Sequence, residues 1–177
     1  MESNMLKPSE ICDAAIGAGC TKANLRFSQE AILGTLAGAF IAVGGVVSAV
    51  VSHSITNVGL AKFAGGAVFP VGLILVVICG AELFTGNCLM AVPLAGKEIN
   101  IGPMLKNWAV VYVFNFVGSV LIAFLVFEAG VFGLSSGKLG GTVIKAASMK
   151  ASLPFWTAFC SGIMCNVLVC LTVWGAF

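Results

Sequence analysis

The sequence predicts an all-α membrane protein, a helical bundle whose second transmembrane helix is broken. Three observations lead there. Of 177 residues, 59% are hydrophobic and only 9% are charged, and the mean hydropathy is +1.08. The few charges leave four long stretches free. The second of these stretches is too long for one straight span and carries a polar cluster in its middle.

A soluble domain carries about 25% charged residues. This chain cannot cover a water-facing surface, which excludes an ordinary soluble enzyme, a nucleic-acid binder and a disordered protein. The net charge of +2 is too small to identify a partner by electrostatics. The relevant solvent is the lipid bilayer.

The N-terminal 28 residues hold Glu2, Lys7, Glu10, Asp13, Lys22 and Arg26 and no apolar core region, so they are not a signal peptide. Pro8 and Ser9 suit a helix start, and Ile11, Ala14, Ala15 and Ala18 follow at helical spacing. This reads as a short amphipathic helix on the membrane surface; the alternative is a frayed polar tail. Residues 29–177 form the transmembrane domain. Ala31 to Ser52, Asn107 to Phe127 and Ala151 to Phe177 contain no ionisable group, and Phe63 to Ala95 contains only Glu82. Each reaches the ~20 residues that a helix needs to cross a bilayer. The spans are therefore placed at about 30–52, 63–95, 107–128 and 153–177. The two loop sides carry nearly equal basic charge, so charge does not orient the bundle. Lys138, Lys145 and Lys150 lie in a segment without an acid. They form either a basic vestibule that attracts anions or an ordinary solvated loop.

A straight helix over 63–95 would be roughly 50 Å long, against a hydrocarbon core of ~30 Å. Glu82-Leu83-Phe84-Thr85-Gly86-Asn87 interrupts it with an acid, a hydroxyl, a glycine and an amide, and Gly80 and Gly86 loosen the chain. The helix is expected to stop near Gly80 to Phe84 and to restart near Thr85 to Cys88. Unpaired main-chain groups at membrane depth survive only in protein or beside a water-filled cavity. A restarting half-helix aims its N–H groups and positive dipole end into that cavity, which suits an anion, and Thr85 adds a hydroxyl. The plain alternative is a kink that binds nothing. Glu82 is an intramembrane acid. Because a carboxylate repels anions, its expected role is structural, accepting N–H bonds that hold the irregular loop together with Gly86 and Asn87.

Gly34, Gly38 and Ala42 form a small-residue ridge for close helix contact, read as a sign of assembly. Trp108, Tyr112, Trp156 and Trp174 fit interfacial anchors, and Asn115 and Asn166 fall mid-span and need partners. The seven cysteines include no C-x-x-C pair and read as small hydrophobes. Cys160, Cys165 and Cys170 step around the helix and cannot converge on one metal. His53 is the only histidine and cannot supply paired haem ligands. No cofactor is implied.

Cys79-Gly80-Ala81-Glu82-Leu83-Phe84-Thr85-Gly86-Asn87, Lys106-Asn107-Trp108 with Tyr112, Asn115 and Gly118, and Asn166-Val167-Leu168-Val169-Cys170-Leu171 with Val173-Trp174 resemble the formate/nitrite transporter family. The match runs in order over nearly the whole chain, and looks closest to the hydrosulfide ion channel branch. The resemblance implies a homopentamer with one pore per protomer in the cytoplasmic membrane of a bacterial cell, with residues 1–28 on the cytoplasmic side. It implies an aquaporin-like bundle of six spans in two inverted halves. It implies passage of small monovalent anions of weak acids: hydrosulfide, formate or nitrite. By the same resemblance Thr85 lines the pore centre on the loop at the break, and Leu83 forms an inner constriction. Phe69 and Leu73 narrow the outer side, Lys150 guards the outer vestibule, and Asn166 holds the loop near Thr85. The family's fifth span carries a histidine facing the threonine. On this resemblance the sequence is expected to lack the last two of the six spans, and His53 is misplaced for that role. The sequence is expected to be one part of a longer protein. Two other readings compete. An aquaporin-type neutral-solute channel lacks its Asn-Pro-Ala signature here, and a membrane anchor subunit lacks cofactor ligands.

Overall fold

The computed structural model describes residues 6–177, and every element is a helix or a turn. Four helices are long and apolar enough to cross a membrane: Phe27–Ser52, Val58–Ile78, Ile101–Glu128 and Phe155–Trp174.

Helix α1, Pro8–Ala23, has proline in its first turn. The Glu10 carboxylate accepts the Lys7 main-chain N–H at 2.6 Å. Its inner face is made of small residues: Ala15 and Gly19 are buried, and Gly19 lies directly against Pro93 and Met90. So α1 rests on protein, not simply on lipid. Helix α2, Phe27–Ser52, begins where Gln29 Oε1 accepts the Arg26 N–H at 3.0 Å. The second span starts at α3, Val58–Val68, whose first turn is capped by Asn57 accepting the Leu60 N–H at 2.9 Å. Pro70 supplies no N–H and bends the span between α3 and α4, Val71–Ile78. The bend lays Gly72 against the main chain of Phe40 and Ile41, and Gly44 against Phe69 and Gly72.

The second span then breaks. Gly80 has φ +64°, a left-handed conformation that glycine adopts freely, and the Ala81 N–H closes the helix end on the Val76 carbonyl at 2.9 Å. The chain runs extended to Leu83 and restarts at Phe84. The restart comes in pieces: α5, Phe84–Asn87, a 3₁₀ turn Cys88–Met90, and α6, Ala91–Ala95. Helix α7, Ile101–Glu128, is followed by a 3₁₀ turn Val131–Gly133 and by α8, Lys138–Ala151. Helix α9, Phe155–Trp174, ends the described chain but for three residues.

Helices run past the charge-free stretches, because long basic side chains extend from a helix end toward water. Lys62 lies inside α3, and Lys106 inside α7. Glu30 lies in the first turn of α2, yet is wholly buried.

The α2–α7 pair is the framework of the bundle. The glycine ridge read as a sign of assembly is used here, within one chain. A Cβ on Gly38 would fall on the main chain of Asn115, and a Cβ on Gly118 on that of Thr35. Gly38→Ala and Gly118→Ala should each cost about 3 kcal/mol, as overpacking against rigid backbone does. Gly66→Ala, with open space around it, should cost nothing measurable. Unfolding in mixed detergent micelles, titrated with SDS, measures the difference.

Candidate functional site

The break leaves main-chain groups of Glu82, Leu83 and Phe84 outside any regular helix, and in an apolar span these need partners. One side chain answers two of them. Asn115, in the middle of α7, donates to the carbonyls of Glu82 and Gly34, each at 2.8 Å, and its Oδ1 accepts the Phe84 N–H at 2.9 Å. The Glu82 N–H reaches the Leu33 carbonyl at 3.2 Å. The Phe84 ring packs edge-on against Trp108 and Tyr112, with centroids 6.1 and 5.3 Å away.

The Glu82 carboxylate accepts its N–H bonds from side chains and not from the loop's main chain. It takes the Lys22 ammonium and the Asn87 amide, each at 2.6 Å. Lys22 also donates to Asn87 Oδ1 at 2.9 Å, and Asn87 Nδ2 donates to Asn107 Oδ1 at 2.8 Å. The Asn87 carbonyl accepts the Trp108 indole N–H at 2.9 Å. Trp108 is therefore a strut of the broken helix and not only an interfacial anchor. Asn107 lies 3.5 Å from Glu30 Oε1, and Glu30 Oε2 lies 3.1 Å from the Lys106 ammonium. That last contact is off hydrogen-bond alignment, so it is an ion pair without a formal hydrogen bond. Glu30, Glu82, Asn87 and Asn107 are all buried. Two acids and two lysines balance in charge, which is how such groups are tolerated away from water. Sequence reading missed Lys22, Glu30 and Asn107 as members. The available signal was an acid in the first turn of a span, with an unmatched lysine on the preceding helix.

Beside this network lies a cavity of about 330 Å³ whose walls include Lys22, Leu73, Glu82, Leu83, Gly86 and Asn87. Thr85 does not line it. Thr85 sits in the first turn of α5, not on the loop, and its carbonyl accepts from Cys170 Sγ at 3.2 Å. Asn166 lines an open apolar groove between α5 and α9. It accepts from Cys88 Sγ at 3.0 Å and donates to the Gly162 carbonyl at 2.8 Å. Asn166, expected to help hold the loop near Thr85, meets the half-helix at Cys88, while Asn115, on α7 across from the break, takes the loop's main-chain groups. Phe69 ends α3 at the proline bend, 43% exposed, and lines neither cavity nor groove. Lys150 is exposed in the last turn of α8, apart from both. The fold thus gathers Leu73, Glu82, Leu83, Gly86 and Asn87 and leaves Thr85, Asn166, Phe69 and Lys150 outside that group.

A model described as formate/nitrite transporter matches residues 9–177. The chain belongs to the formate/nitrite transporter family. Among its relatives, it is 37% identical to the formate channel FocA of Haemophilus influenzae, over all of this chain and 63% of that protein. It is 39% identical to the uncharacterized transporter YrhG of Bacillus subtilis, over 97% of this chain and 65% of that one. A solved pentameric formate channel with formate bound superposes with TM-score 0.72 at 34% identity, covering 84% of this chain and 59% of the other. A solved FNT family ion channel gives TM-score 0.78 at 27% identity, covering 94% and 66%. The chain spans less than two thirds of the length of these relatives. The fold class expected from sequence, an all-helical bundle with a broken second span, is the fold of this family.

Removing one partner of a buried pair strands the other charge. Lys22→Met alone and Glu82→Gln alone should each cost about 3 kcal/mol, and the double variant clearly less than their sum. SDS-titrated unfolding of the four proteins gives the coupling.

Proposed function

We propose that this protein works as a membrane channel for small monovalent anions of weak acids, with hydrosulfide, formate and nitrite as the candidate substrates. In this reading it assembles as a homopentamer in the cytoplasmic membrane of a bacterial cell. The observation that carries the reading is the interrupted main chain at residues 80–84, inside an otherwise apolar span and beside a cavity. Family membership supports it, as does the likeness to formate channels.

The chemistry follows from desolvation. A bare anion in an apolar passage is costly. The Phe84 N–H is taken by Asn115, while the N–H groups of Thr85 and Gly86 have no main-chain partner among the described residues. These two donors and the Thr85 hydroxyl replace water around a passing anion. Pairing with Lys22 neutralises Glu82, so the acid at the break does not repel that anion. Leu83 and Leu73, both on the cavity wall, form the apolar constriction, which favours weakly hydrated or protonated species and dewets when empty. Phe69 narrows the passage on the other side of the span. Lys150, with Lys138 and Lys145 on the same helix, concentrates anions at the entrance. Asn166 and Cys88 hold α9 against the half-helix.

Proteoliposomes loaded with formate, nitrite or hydrosulfide test the reading. Lys150→Glu should lower anion flux several-fold at low ionic strength, and the difference should shrink in high salt. Leu83→Ala should raise flux and admit larger carboxylates. Flux of all three anions at the rate of empty liposomes sinks the channel reading. A neutral-solute channel would carry no current and would be indifferent to Lys150→Glu.

A further inference from the structure

The end of the bundle opposite α1 holds a slot that anion passage does not use. Helices α2 and α7 run parallel, since Gly34 meets Val111 and Gly38 meets Asn115 and Ser119. Their C-terminal ends therefore lie together, and α8 packs there on α2 and on the 3₁₀ turn Val131–Gly133. A half-enclosed slot of about 210 Å³ remains between these elements. Its α2 and α7 walls are small, with Ala42, Ala49 and Ala123, while Phe132, Leu139 and Val143 form the other side. No lining residue has a polar side chain, so water finds no partner in it. From Ala42 to Ala49 the slot runs about 10 Å along α2. It is far too small for a helix, which is ~10 Å across, and has room for one hydrocarbon chain.

We propose that this end of the molecule binds one anionic phospholipid of the bilayer, with an acyl chain in the slot and the headgroup on Lys138 and Lys145. Charge complementarity selects the occupant. The stretch from Ala129 to Phe177 carries three lysines and no acid, and neither Lys138 nor Lys145 has an acidic partner among the described residues. The two lie seven residues apart on α8, which is two turns, about 10 Å along one face. Lys150 stands about 140° around the helix from Lys145, so a headgroup held by the other two leaves it for the entrance. Away from the lysine face α8 is apolar: Leu139 is buried, Val143 lines the slot, and Ile144 is 68% exposed. A helix that is basic on one side and apolar on the other lies in the plane of the membrane interface. There lysine stems cross apolar surface, and anionic headgroups attract their charges. An acyl chain supplies the dispersion contacts that the gap between α2, α7 and α8 lacks. A zwitterionic lipid fits the slot but gains nothing from the lysines, and a soluble anion meets the lysines but cannot fill the slot.

The test reads binding, and its outcome is separate from anion flux. The full chain in detergent is titrated with phosphatidylglycerol or with phosphatidylcholine of the same acyl chains, and bound lipid is counted by native mass spectrometry. Phosphatidylglycerol should fill one site per chain at a several-fold lower concentration than phosphatidylcholine. Lys138→Ala and Lys145→Ala should each weaken phosphatidylglycerol about fivefold and leave phosphatidylcholine unchanged. Ala49→Leu and Ala123→Leu fill the slot without altering charge and should weaken both lipids. Lys62→Ala, which removes a lysine of α3 from the same end of the bundle, should match wild type. Size exclusion and far-UV circular dichroism identify a misfolded variant, and either member of each pair of replacements then stands in for the other. Equal affinity for the two lipids, or lysine variants that match Lys62→Ala, overturns the headgroup site. Slot variants that bind as wild type does overturn the acyl-chain site. Wild type that retains no lipid, as when a neighbouring copy fills the slot, overturns both.

Discussion

A main chain that leaves the helix inside lipid must find hydrogen-bond partners within the protein. That constraint organises this molecule. Asn115 meets it by offering both a donor and an acceptor to residues on either side of the interruption, and it also ties them to the Gly34 carbonyl of α2. Its reach requires α7 to lie close to α2, which is why glycines sit at Gly34, Gly38 and Gly118. The close packing of two long helices and the irregular segment beside them are therefore parts of a single solution.

The charged groups solve a second version of the same problem. Glu82 and Glu30 are buried, and each is answered by a lysine from a different element: Lys22 of α1 and Lys106 of α7. Asn87 and Asn107 bridge them. Replacing such a network with apolar side chains often leaves stability unchanged or improved, so stability alone does not explain its presence. Its geometric effect is to fix α1 against the half-helix, with Gly19 seated on Pro93.

Much of this was legible in the sequence. Charge-free stretches are a direct consequence of lipid as solvent, so the four spans could be read from composition. The break could be read because a 63–95 helix overshoots the membrane and contains Glu82 and Gly86. Side-chain partnership was less legible. Asn115 and Asn166 look alike in sequence, both mid-span amides, and only the crossing of α7 over the break gives Asn115 the loop. Glu30 was taken as the edge of a span, because nothing local announces that Lys106 covers it. The bend at Pro70 went unread, since proline in the middle of an apolar run gives no hint of which glycines will receive the displaced chain. Thr85, placed by resemblance at the centre of the passage, lies in the first turn of the half-helix with its carbonyl bonded to α9.

The reciprocal seating of Gly38 on Asn115 and of Gly118 on Thr35 has a mechanical consequence. Backbone touches backbone at these two points with no side chain interposed there, so the two helices can neither slide nor rock against each other without breaking both contacts. They behave as one stiff plate. Parts fastened to that plate chiefly by side chains, namely α1, the half-helix and α9, are where the bundle can give.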